Sequence, residues 1–181
     1  PNLIGTEYCS IELFDSSFES PGRKYWLLDP SMVPSMLDIR SILQANERIV
    51  PAIYEAAVDP TTWNDVLGAT AEFLGASSGM HSLTFWASNR GTSISEHGML
   101  EGMTKLCEEE YSANEWIRRA AEIPAGQVMR PDASSMEKML ATPFGRDILK
   151  PQGWQDAMVV RTTESELFLG ALSFYSKTRF E

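Results

Sequence analysis

The residues in this chain best suited to catalysis or metal binding are two histidines, His81 and His97. They lie on or beside adjacent predicted strands, where they could come close together. A metal site would need further ligands at fixed spacing, and no pair of Cys or His residues offers one. A surface or hydrogen-bonded role is the favoured interpretation of both. We therefore predict no metal and no cofactor.

Nucleophilic catalysis is not indicated by the sequence either. Cys107 would need a neighbouring base and a lowered pKa, and a buried structural thiol is the simpler interpretation. The chain contains no Gly-x-Ser-x-Gly elbow and no glycine-rich phosphate loop. Cys9 and Cys107 are as consistent with two reduced thiols as with a pair, and reduced thiols suit a cytoplasmic protein. The expectation is a cytoplasmic protein that is not an enzyme.

A binding pocket requires an apolar cavity with a few placed polar groups, and the strand-like run at residues 80–87 is the candidate wall. Alternation along this run separates two sets of side chains. One set is more apolar, so plain core packing favours it inward, whereas the other has the mixed character of a ligand wall. The apolar set is His81, Leu83, Phe85 and Ala87, and the mixed set is Met80, Ser82, Thr84 and Trp86.

Aromatic and methionine side chains elsewhere could complete such a pocket. Tyr111 and Trp116, on or after a predicted helix, can present amphipathic rings to a cavity, and methionines are adaptable liners. Core packing is the alternative for each aromatic ring. The predicted ligand-binding residues are Ser82, Thr84, Trp86, Met99, Tyr111, Trp116 and Met129.

The elements that must position these residues are organised around residues 49–79. Trp63 begins an apolar stripe on a 3.6-residue period that ends at Leu74. Asp59 stands at the N-cap position, Pro60 at the first helical position and Gly75 at the left-handed cap. A shorter stripe over residues 49–57 and another over 36–46 predict separate helices before this one, and residues 100–121 are predicted to be a further helix.

The predicted strands occur in the grouping two, one, two. They cover residues 80–88 and 92–97, then 127–130, then 156–162 and 167–175, the last a near-continuous apolar run typical of a central strand. Hairpin pairs favour an antiparallel sheet with helices packed mostly on one side. We expect an α+β fold of about five strands, similar to GAF and PAS domains, over residues 36–181. Residues 1–35 are predicted to form an N-terminal arm or hairpin.

Composition narrows the possible partners. The net charge is −10, which argues against direct contact with nucleic acid, since phosphate binding requires Lys and Arg. The apolar share of 43% is ordinary for a globular protein, and no run is long enough for a membrane span. The sequence therefore predicts a globular protein without membrane contact.

The amino-acid sequence of one segment resembles that of a known family. IYEAAVDPTTWNDVLGATAEFLGASSG is similar to the opening helices of the N-terminal sensor domain of LuxR-type helix-turn-helix transcription regulators. Three later pieces fit in the same order: Asn114 to Trp116, Pro124 to Val128, and Lys150 to Trp154. The resemblance covers residues 49–180.

The resemblance implies a small-molecule-sensing input domain with a GAF/PAS-like fold. An unknown small organic ligand would bind between sheet and helices and bias a homodimer. DNA would be contacted only through a helix-turn-helix domain that this chain does not contain. The Trp–Tyr–Asp constellation of acyl-homoserine-lactone binders is not found. The alternative is a dimerisation or protein-interaction module whose pocket is filled by its own side chains.

Overall fold

The computed structural model describes residues 39–112 and 114–180, which form one antiparallel sheet covered by helices. The strand order is β2-β1-β5-β4-β3. The strands are β1 (Ser78–Phe85), β2 (Arg90–His97), β3 (Val128–Met129), β4 (Asp156–Arg161) and β5 (Phe168–Ser176). The predicted α+β, GAF/PAS-like class with five antiparallel strands is confirmed. The arm or hairpin predicted for residues 1–35 lies outside the described residues.

Strand β5 is the centre of the sheet, because it pairs with β1 on one side and β4 on the other. Most of its residues are buried, as the apolar run in the sequence predicts. The hairpin between β1 and β2 turns at Asn89, which has a positive φ of 50°. Asparagine tolerates this left-handed region better than most residues.

Both faces of the sheet are covered, rather than mostly one. Met80, Ser82 and Thr84 are buried on one face, together with Tyr175 of β5. On the other face His81 contacts the ring of Trp63, with centroids 4.8 Å apart. The mixed set of β1 therefore faces one helical layer and the apolar set faces another. The mixed set is the more buried of the two along β1, because His81 and Leu83 are only half-buried and Phe85 is exposed.

The second face is covered by α2 (Trp63–Leu74), which follows α1 (Ile39–Val58). The predicted caps are confirmed: Asp59 accepts a hydrogen bond from the backbone N–H of Thr61 at 3.0 Å, and Gly75 has φ of 67°. The prediction of separate helices for the two stripes before Asp59 is wrong, since α1 runs without a break from Ile39 to Val58. Glu47 and Arg48 are good helix formers, so nothing between the two stripes stops the helix.

The first face is covered by three short helices and two π-helical turns. They are α3 (Met103–Leu106) with the turn Cys107–Tyr111, α4 (Glu115–Ala120), and α5 (Ala133–Ala141) followed by the turn Gly145–Leu149. The helix predicted over residues 100–121 is therefore divided. Asn114 causes the division, because its Oδ1 accepts from the backbone N–H of Ile117 at 3.1 Å and starts a new helix.

A buried carboxylate fixes the end of the described chain to the sheet. Asp156 accepts hydrogen bonds from Arg130 Nη2 at 2.7 Å, Phe180 N at 3.0 Å and Ala157 N at 2.9 Å. Arg130 also donates to the carbonyl of Phe180 and lies over its ring, 5.6 Å from the centroid. We call Arg130, Asp156 and Phe180 the C-terminal anchor. No helix in the described part of the chain is both long and apolar enough to span a membrane.

Candidate functional site

Three of the predicted ligand-binding residues meet at a cavity between β1 and the turn Cys107–Tyr111. Ser82 and Thr84 project from the strand, and Tyr111 closes the cavity from the helical side. Its volume of about 30 Å³ is enough for water but not for an organic molecule. We call it the sheet cavity. Its other lining residues include Met80, Cys107, Ile117, Phe144 and Tyr175.

Close backbone packing keeps the sheet cavity small. Thr84 Oγ1 donates to the carbonyl of Ser112 at 3.0 Å, and Ser112 Oγ donates to the carbonyl of Asn89 at 2.9 Å. Gly91 allows this approach, because a Cβ there would lie 2.7 Å from the Cβ of Ser112. Ser112 is thus hydrogen-bonded to β1 and to the hairpin turn, and it packs closely against Gly91 of β2.

A larger groove lies on the other side of Tyr111, between α4 and α5. Its volume is about 430 Å³, within the range of small-molecule sites. We call it the α4–α5 groove, and no strand residue is among the described residues that line it. Those residues are Tyr111, Asn114, Glu115, Trp116, Arg119, Pro131, Ser135, Lys138, Met139, Thr142, Pro143 and Phe144.

The sheet cavity and the α4–α5 groove share Tyr111, Asn114 and Phe144 as a common wall. The rings of Tyr111 and Phe144 meet edge-on, with centroids 5.8 Å apart. Tyr111 Oη donates a hydrogen bond to Asp147, and this bond raises the pKa of the phenol. These two rings are therefore part of the boundary between the two spaces.

The structure distributes the seven predicted residues unevenly. Ser82, Thr84 and Tyr111 line the sheet cavity, and Tyr111 and Trp116 line the α4–α5 groove. Trp86, Met99 and Met129 line neither space and are half-buried against the main core cluster. Their packing is that of core residues, which was the alternative considered for the aromatic rings.

Sequence reasoning missed two kinds of groove residue, the charged ones and the apolar ones that lie in or after α5. Arg119 belongs to α4, whereas Lys138, Met139 and Phe144 follow in or after α5. Local periodicity gives no sign that these two segments face each other. The sequence predicted one helix over residues 100–121 and did not identify Asn114 as the N-cap that starts α4.

Cys107 is buried beside the sheet cavity as an uncharged thiol. Burial, with a smaller contribution from the Glu108 carboxylate, raises the pKa of the thiol to about 12. The reactive thiolate is therefore scarce at neutral pH. Because the native state holds this proton more tightly than the unfolded chain, the thiol lowers stability as the pH rises above about 8.5.

In a Cys9→Ser variant, Cys107 is expected to react with iodoacetamide at pH 8 about 1000-fold more slowly in the native protein than in the unfolded chain. The physical reason is the thiolate fraction, which the raised pKa reduces. Peptide mass spectrometry over time measures the rate, with the denatured protein as control. Equal rates in the two states would show that Cys107 is accessible and ionised.

Both histidines lie toward α2 and away from the two spaces. His81 packs on Trp63, and burial lowers its pKa. The ring of His97 lies 3.1 Å from where a Cβ on Gly68 would stand. Within residues 39–112 and 114–180, no three His, Cys, Asp or Glu side chains are grouped as a metal site would require.

Comparison with known proteins gives structural similarities alone. No protein-family model and no curated protein sequence matches the chain. It is similar to the VqsR LBD domain from Pseudomonas aeruginosa, with 12% identity and a TM-score of 0.58, over 76% of this chain and 83% of that one. At this identity the similarity is one of fold.

Two further structures match less closely. One is a domain of a putative two-component sensor histidine kinase protein from Sinorhizobium meliloti 1021, with 11% identity and a TM-score of 0.44, over 64% of this chain and 72% of that one. The other is the chromophore-binding domain of the bacteriophytochrome RpBphP3 from R. palustris, with 15% identity and a TM-score of 0.47. That alignment covers 79% of this chain and 54% of the other.

Proposed function

We propose that this chain is a cytoplasmic, non-enzymatic sensory domain that binds a small organic molecule and serves as the input domain of a LuxR-type transcription regulator. DNA would be contacted by a separate helix-turn-helix domain. The fold shared with the VqsR LBD domain and the motifs at residues 49–79 support this assignment. The ligand would bind in the α4–α5 groove and extend toward the sheet cavity.

The α4–α5 groove is the observation that carries the proposal. Its volume suits a small organic molecule, whereas the sheet cavity alone holds only water. The groove combines the buried ring of Trp116 with charged side chains from both helices. An apolar floor with a few polar groups is the usual composition of a ligand site.

A ligand in the groove could influence two parts of the domain. Displacement of the Tyr111 ring from Phe144 would open the path to Ser82 and Thr84. Contact with Pro131 would reach the C-terminal anchor, because Arg130 precedes it in the chain. Such a ligand shifts the population of conformers only if it binds one of them better than the other.

A Ser135→Trp variant tests the proposal, because the indole would fill the groove from α5. A compound that binds only the native wild type, present at a hundred times its Kd, should stabilise it by about 2.7 kcal/mol and raise Tm by about 5–10 °C. This shift is expected to disappear in Ser135→Trp. Thermal unfolding against a panel of metabolites measures it.

Ser134→Trp is the matched control, since Ser134 is the exposed neighbour on α5 and does not line the groove. It should retain the wild-type shift. If no compound of a broad panel shifts Tm of the wild type, the sensory proposal fails. If both variants keep the shift, the ligand binds elsewhere.

A second candidate function, homodimerisation, is favoured by the outer face of α1. Tyr54 is 73% exposed and Val58 is 87% exposed, and Leu43 and Val50 lie on the same side of the helix. The opposite side carries Ala56, which is buried. We propose that this stripe, Leu43, Val50, Tyr54 and Val58, is the contact with a second copy of the chain.

A further inference from the structure

We infer that the ligand of the α4–α5 groove is an organic acid with an apolar body, whose carboxylate is bound by Lys138 and Arg119. This inference rests on the proposed function, since it names the class of molecule that the groove would take. It follows from the charges of the groove, its unused hydrogen-bonding groups and its apolar floor.

The charge of the groove is opposite to that of the protein. The chain has a net charge of −10, yet the groove is lined by two cations, Arg119 and Lys138, and one anion, Glu115. A cationic site in an acidic protein attracts an anion locally, although the rest of the surface repels it. The groove therefore selects against cations and favours acids.

The two cations are available to a ligand. Lys138 forms no ion pair with any described residue. The pKa of the nearby Asp132 carboxyl is lowered mainly by hydrogen bonds from Ser135, and the charge of Lys138 makes a smaller contribution. Arg119 pairs with Glu115 at 2.6 Å, but both side chains are more than half exposed. Exposed pairs of this kind are weak, so a ligand carboxylate can take the place of Glu115.

Two neutral polar side chains of the groove are already occupied, whereas the buried indole N–H of Trp116 has no hydrogen-bond partner among the described residues. Asn114 caps α4 through Oδ1 and donates from Nδ2 to the carbonyl of Tyr111 at 2.8 Å. Thr142 Oγ1 donates to the carbonyl of Met139 at 2.6 Å and accepts from Gly145 N. The strongest remaining donors are thus the ammonium and the guanidinium, which carboxylates match best.

The floor of the groove is apolar and partly aromatic. Trp116, Met139 and Phe144 are buried, and Pro131 and Pro143 complete the rim. A planar ring or a short alkyl chain would contact these side chains while its acid group lies at Lys138. A small, wholly polar anion such as acetate would leave this surface unfilled and bind weakly.

The test compares acids with their uncharged amides on the full chain. The probes are 3-phenylpropionate and octanoate against 3-phenylpropanamide and octanamide, with Kd measured by calorimetry at one fixed ionic strength. The acids should bind at least about tenfold more tightly than the amides. This is the difference in Kd that one charge-assisted hydrogen bond is expected to produce. Lys138→Met should abolish this preference.

Lys177→Met is the matched control, because it removes the same charge from an exposed lysine outside the groove. It should keep the preference for acids. Equal affinity for acids and amides in the wild type would overturn the inference, as would an equal loss in the two lysine variants. Binding of amides, or of another compound from the panel, would then leave the proposed function standing. If the wild type binds no compound, both proposals fail.

Discussion

Replacement of Arg130 by methionine is expected to lower the free energy of unfolding by about 3 kcal/mol, which corresponds to a fall in Tm of about 6–12 °C. The variant leaves the Asp156 carboxylate, only 2% exposed, without its cationic partner. Its remaining donors are two backbone N–H groups, from Phe180 and Ala157. Breaking a buried ion pair from one side costs more than the pair contributes, because the other charge stays buried.

Arg119→Met is the control for this experiment. It removes an exposed ion pair with Glu115 within one helix, so its effect should stay within about 0.5 kcal/mol. Adding Asp156→Asn to Arg130→Met should recover part of the loss, since a neutral amide costs less to bury than a lone charge. Urea unfolding measures all three variants. If Arg130→Met loses no more stability than Arg119→Met, the C-terminal anchor does not hold the end of the chain.

Replacement of Tyr54 by glutamate is expected to raise the dissociation constant of the homodimer at least about 30-fold. Tyr54 lies in the middle of the exposed stripe on α1, and tyrosine is among the residues that contribute most to interfaces. A carboxylate at this position would be buried without a partner. The dimer would therefore lose the ring contact and would also incur the free-energy cost of desolvating the charge. Sedimentation equilibrium measures the constant.

Gln44→Glu is the matched control for the dimer. It adds the same charge to the same helix, at an exposed position beside the stripe. Its dissociation constant should remain close to that of the wild type. A wild type that sediments as a monomer at high concentration would exclude the dimer through α1, as would equal effects of the two substitutions.

Local signals in the sequence were sufficient for most of the fold. Asp59 and Gly75 act on backbone groups within a few residues, so their positions as caps could be read from the sequence alone. The apolar run that forms β5 likewise indicates burial on both faces of a central strand. These elements are determined by neighbours in the chain, and their boundaries were predicted within a few residues.

The candidate site depends on contacts between distant segments, and here the sequence was less informative. Alternation along β1 separated two sets of residues but could not choose between them, because helices cover both faces of the sheet. The groove forms where α4 meets α5, and no local pattern indicates that Arg119 and Lys138 face one space. Asp156 and Arg130 are 26 positions apart, so their pairing has no local signal either.

The central claim, that the domain binds a small molecule in the α4–α5 groove, is tested most directly by a crystal structure. The full chain would be crystallised with the compound that raises Tm most in the panel. We predict density for that compound between α4 and α5, in contact with Trp116 and reaching the ring of Tyr111. Density for the compound at any other place, with the groove empty, would contradict the account.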